Sequence, residues 1–198
     1  MPDFSAPLLH RTAARPWPLR RALAAAAWAL GVTLGSPALH AQPATAAAAP
    51  YAEVQRLLAD GDAVLARQRL QQWLQDHPDD AQARLLLGVA LAAAGDAAGA
   101  QREYETLTQR YPELPEPYNN LAVLHAAAGR LQEARAALEA AIRFHPDYAT
   151  AHRNLGDVYA QLALGHWQRA LALQPDIPGL GRRADALRQL LATPPAAR

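Results

Sequence analysis

Two histidines stand in matching contexts, His77-Pro78-Asp79 and His145-Pro146-Asp147, and paired imidazoles with carboxylates close by are the ordinary makings of a metal site. They lie 68 residues apart, and neither sits in a helical pair of histidines with a glutamate between them, the spacing that puts a hydrolytic metal and its base on one helix face. Both are read as exposed turn residues. Asp62, Asp79, Asp96 and Asp147 are the carboxylates available for acid–base work, but each stands where a helix is expected to begin, and an acid there accepts from free backbone N–H groups and complements the helix dipole. The only serines are Ser5 and Ser36, and cysteine is absent, which removes disulfides, thiolate metal ligands and a thiol nucleophile. With no glycine-rich phosphate loop either, the sequence predicts no catalytic residue, no metal and no cofactor.

The first forty residues carry a different kind of chemistry. Arg11, Arg15, Arg20 and Arg21 are opposed only by Asp3, and Ala22 to Leu34 then runs uncharged before Gly35, Ser36 and Pro37. A basic flank, a short apolar run and small residues at Ala38 and Ala41 predict a bacterial secretion signal over 1–41. The run is shorter than the roughly 20 residues a membrane-spanning helix needs. The expected location is periplasmic or secreted, with contact to the membrane only through this segment; an uncleaved anchor is the alternative. Without residues 1–41 the chain holds 15 Arg and 17 acidic residues, a net of −2, and no Lys. That balance offers no basic face for nucleic acid.

What must position any functional side chain in the remainder is a repeat. Gly61, Gly95 and Gly129 are 34 apart, and so are Pro78, Pro112 and Pro146. Ala66, Ala100 and Ala134 keep the same offset, as do Leu70, Tyr104 and Leu138. Glycine ends one helix in the left-handed conformation, alanine lets a second helix approach, the bulky residue fills their interface and proline ends the unit. One unit is helix, turn, helix, turn, with an apolar face that only a neighbouring unit can cover.

Leu87-Gly88, Ala100, Tyr104 and Pro112, followed by Leu121-Ala122, Ala134, Leu138, Ala141 and Pro146, resemble the tetratricopeptide repeat (TPR) family. The resemblance implies an all-α, right-handed α-solenoid of about three and a half helix pairs. Its units fall near 47–80, 81–114, 115–148 and 149–178 within a repeat domain at 49–178. A linker at 42–48 precedes it, a capping helix at 179–192 follows, and 193–198 is a tail. In the fourth unit Leu155-Gly156 and Tyr159 lead to Ala163, Trp167, Ala170 and Pro175, but Pro146 to Pro175 is 29 residues, 5 short of the period. The residues lost are those of the glycine turn, so one helix is predicted from about Ala149 to Leu173.

In this family the first helices of successive units line a concave groove, and carrying those positions over gives Leu85, Val89, Asn119, Val123, Arg153 and Asp157 as peptide-binding residues, with Asn120 and Asn154 beside them as polar contacts. Asn119 and Asn120 have a second reading, as partners of helix-end backbone groups. The resemblance implies a non-enzymatic adaptor for a protein or peptide partner, monomeric or weakly dimeric. A self-associating structural protein is the alternative.

Overall fold

The computed structural model describes residues 49–192. These form eight helices and no strand: α1 Tyr51–Asp60, α2 Ala63–Asp76, α3 Ala81–Ala93, α4 Ala97–Arg110, α5 Pro115–Ala127, α6 Leu131–Phe144, α7 Ala149–Leu173 and α8 Leu180–Ala192. The expected signal, linker and tail lie outside the described residues.

The glycine series makes the same turn three times. Gly61, Gly95 and Gly129 have φ of +89°, +88° and +75°. At each, the residue after the glycine returns its N–H to a carbonyl five back, Asp62 to Leu57, Asp96 to Leu91 and Arg130 to His125, at 2.8–2.9 Å. This double-bonded helix ending satisfies carbonyls that the helix leaves open, and it needs a residue free to take positive φ. The result is an antiparallel hairpin in each unit, α1/α2, α3/α4 and α5/α6.

The expected interface residues are inside: Ala66, Leu70, Ala100, Tyr104, Leu107, Ala134, Leu138 and Ala141 are all buried. They fall into two continuous clusters, one running from α1 to α5 and one from α5 to α7, with Leu121 and Leu124 of α5 in the first and Ala122 in the second. The array is therefore a stack in which each hairpin is covered by the next, an α-solenoid. Gly88 explains why one hairpin is so tight: a Cβ there would collide with Tyr104 Cε1 and lie 2.8 Å from Cζ and 2.9 Å from Cδ1.

The fused helix of the fourth unit is present with the expected bounds, Ala149–Leu173. Its first half, through Ala151, Leu155, Val158 and Leu162, completes the second cluster. Its second half holds no buried residue and meets α8, where the Arg183 guanidinium lies 4.7 Å from the Trp167 ring centre.

The helix starts differ from expectation. Asp96 does cap α4, accepting from Gly99 N at 2.8 Å, but α3 is capped by Asp80 and not by Asp79. Asp62 precedes α2 without a side-chain bond, and α7 follows Tyr148, not Asp147. Asp80 wins because three elements converge on it: its carboxylate accepts from Ala83 N at 3.0 Å, the Tyr51 hydroxyl at 2.5 Å and Trp73 Nε1 at 2.7 Å. Burial pushes that carboxyl up, but these donors outweigh it and hold Asp80 below the usual carboxylate value. Asp79 faces outward and pairs with Arg110.

Candidate binding surface

The surface that the repeat makes available runs along the first helices of the units, α3, α5 and the first half of α7. Each helix presents a side chain every three or four residues, so residues at one repeat position form a row across the stack. Val89 and Val123, 34 apart, are such a row; both are half-buried, as are Ala126 farther along α5 and Ala160 on α7. Leu85, expected beside them, lies in the first cluster at 6% exposure. It supports the floor from below, packed in the cluster that runs from α1 to α5.

The polar residues form one connected line. Arg153 Nη2 donates to Asn154 Oδ1 at 3.4 Å, Asn154 Nδ2 to Asn119 Oδ1 at 2.8 Å, and Asn119 Nδ2 to Asn120 Oδ1 at 3.4 Å. Asn120 in turn hydrogen-bonds the Tyr104 hydroxyl. Burial raises the Tyr104 phenol well above its ordinary value, and that amide only partly offsets it. The amides therefore link α7, α5 and α4, and they do not serve the helix-end backbone groups. Asn119, at 5% exposure, is the one buried polar residue among those described, and its partner Asn154 is half-buried. Their bond spans two repeat units and holds α5 against α7 at the lip of the surface.

Arg153 and Asp157 are exposed on α7. Glu116, at the start of α5, and Arg153 both act on Tyr148, the residue before α7. Burial and the Glu116 carboxylate push its phenol up to about 12, with Arg153 opposing. Tyr148 was not singled out from the sequence; its only signal is its place one residue before a helix start. Arg153, Glu116 and Tyr148 thus make a charged edge to an aliphatic row. All eight expected groove residues lie on α3, α5 and α7, but they divide by role. Val89, Val123, Arg153 and Asp157 are accessible, whereas Leu85, Asn119 and Asn120 build the framework and Asn154 spans both.

The histidines show no common site. His77 stacks on Trp73 with ring centres 3.7 Å apart, and His145 packs edge-on to Tyr148 at 6.3 Å. Among the described residues no cluster of three potential metal ligands occurs. Nor is any helix there long and apolar enough to cross a membrane. A shallow, open depression of about 420 Å³ lies at the turn edge, lined by Gly61, Asp62, Ala63, Val64, Leu65, Gln68, Ala93 and Ala94, and offers a single carboxylate.

A family model described as tetratricopeptide repeat matches residues 57–124, and one described as TPR repeat matches 125–162. Among solved structures, a thermophilic TPR protein of Thermus thermophilus is similar, with 26% identity and a TM-score of 0.55 over 72% of this chain and 81% of that one. No curated protein matches the chain.

Proposed function

Residues 57–162 being an array of tetratricopeptide repeats, we propose that this chain is an exported bacterial scaffold that binds an extended, aliphatic peptide segment of a partner protein along α3, α5 and α7. Repeats of this kind are protein-interaction scaffolds. The observation that carries it is the row of Val89 and Val123, half-buried and ending at the exposed Arg153 and Asp157. Packed helices lie about 8–10 Å apart and an extended chain advances roughly 3.3 Å per residue. A peptide crossing the row therefore sets about three residues on each helix. Alternate side chains reach the valines, while the exposed Arg153 donates to a carboxylate or carbonyl of the peptide.

Export rests on the basic flank, apolar run and small residues of 1–41. Its test is the mass of the protein recovered from the periplasm: a chain shortened after Ala41 or Ala38 supports cleavage, and a full-length chain held in the membrane fraction overturns it. The groove is tested by capture from native envelope extract with the full chain and with Val89→Glu/Val123→Glu. A partner held by the first and lost by the second, with equal helical circular dichroism, supports the site. Equal capture by both overturns it.

A further inference from the structure

The fourth unit carries both halves of an interface that it cannot close. In the second unit Tyr104 of α4 is seated on Gly88 of α3 so closely that no Cβ fits between them. Two repeats on, Gly156 holds the place of Gly88, and after the lost turn Trp167 holds the place of Tyr104. In α7 the seat and the knob are on one unbroken helix. They are separated by 11 residues, which is about three turns and roughly 16 Å along the axis. They therefore face the same way and never meet within one chain.

Both bear the mark of that separation. A Cβ on Gly156 would meet nothing within 4 Å, in contrast to Gly88. Trp167 is only half-buried even with the Arg183 guanidinium of α8 4.7 Å from its ring centre, against the buried Tyr104, Leu70 and Leu138 at equivalent positions. Of the 25 residues of α7 only Ala151 and Val158 are buried, whereas 8 of the 13 in α3 are. Beyond the array, Leu173 and Leu190 are 70% and 69% exposed. Between seat and knob lie Ala160 and Ala163, both small, holding the places that the buried Ala92 and Ala100 hold in the second unit.

We infer that two copies of this chain pair through α7, antiparallel, each placing Trp167 on Gly156 of the other copy and so rebuilding between chains the helix pair that the missing turn forbids within one. The arrangement is its own mate under a two-fold axis passing between Ala160 and Ala163, because the seat and the knob are equally far from that point. A self-complementary patch of this kind closes as a dimer and leaves no further free copy of itself. Small residues at the axis let the backbones approach as α3 and α4 do. The second copy is favoured over any other occupant because the register that fits Trp167 to Gly156 is the one already realised by Tyr104 and Gly88. The inference does not rest on the groove reading, since Gly156 and Trp167 lie outside the groove residues and only Ala160 is shared with its edge.

The test is light scattering of the full chain across the micromolar range, beside Gly156→Leu. In a single chain the leucine enters open space and favours the helix, so folding is kept; in the dimer it occupies the seat of Trp167. The expected result is a dimer that dissociates at least tenfold more readily in the variant, with unchanged helical circular dichroism. Because cysteine is absent, register is read by oxidising a mixture of Ala160→Cys and Ala163→Cys chains, which should give the mixed disulfide ahead of either symmetric one. A monomer at all concentrations, a dimer indifferent to Gly156→Leu, or no preference for the mixed disulfide overturns the inference. Loss of the dimer in Gly156→Leu with partner capture intact would separate it from the groove reading.

Discussion

Replacing Gly88 by alanine tests the repeat geometry at its tightest point. In an ordinary helix interior the change stabilises by roughly 1 kcal/mol, because alanine loses less backbone freedom on folding. Here the new methyl would collide with Tyr104 Cε1 and lie 2.8 Å from Cζ, where carbon atoms want about 3.5–4.0 Å. The ring is 3% exposed and its hydroxyl is held by Asn120, so it has nowhere to retreat. Overpacking of a rigid core costs typically about 1–3 kcal/mol, and this site belongs at the upper end. The net expectation is a loss of about 1–2 kcal/mol in urea titration followed by circular dichroism. The third unit supplies the rescue, since Ala122 and Leu138 occupy the equivalent places there and both are buried. Gly88→Ala combined with Tyr104→Leu should therefore cost less than the two single changes together, by at least about 1 kcal/mol of coupling. A stabilised Gly88→Ala protein, or strictly additive losses, would refute the argument.

Three further outcomes are expected. Gly129→Ala forces a side chain into φ of +75° and should cost about 1–2 kcal/mol in the same titration. Asp80→Ala removes the cap of α3 and strands the Tyr51 hydroxyl and Trp73 N–H, for a loss of about 2–3 kcal/mol at neutral pH. Because the folded carboxyl titrates below its ordinary 3.8, its contribution is whole above that pH and disappears as pH falls through the folded value. The gap between wild type and variant, read by tryptophan fluorescence, should accordingly close in acid. Asn154→Leu leaves the buried Asn119 carbonyl without its 2.8 Å donor and should destabilise by about 1–3 kcal/mol, with hydrogen exchange rising first in α7.

Which helices carry the candidate surface was legible in advance, and the division of roles among its residues was not. The period of 34 assigned Leu85, Asn119 and Arg153 to one repeat position and Asn120 and Asn154 to the next. The bond that forms joins Asn119 to Asn154, across positions, because neighbouring first helices meet at an offset that a list of equivalent residues does not contain. Leu85 and Val89 looked alike as aliphatic groove residues, yet one is sealed in the core and the other half-open. Which of them a partner can touch depends on how neighbouring helices pack against α3, and the sequence positions do not carry that.

Sequence alone determined what is local and what is periodic. The left-handed turns at Gly61, Gly95 and Gly129 follow from a residue without a Cβ, and the unbroken α7 follows from five missing residues where a turn would stand. The buried series Ala100, Tyr104 and Leu107 follows from helical spacing under a constant repeat. Tertiary structure decided the choices between near-equals: Asp80 over Asp79 as the cap, the amide line from Arg153 to Tyr104, the open seat at Gly156. Each depends on distances between helices far apart in the chain. Those distances are set by packing volume, which periodicity constrains only as an average.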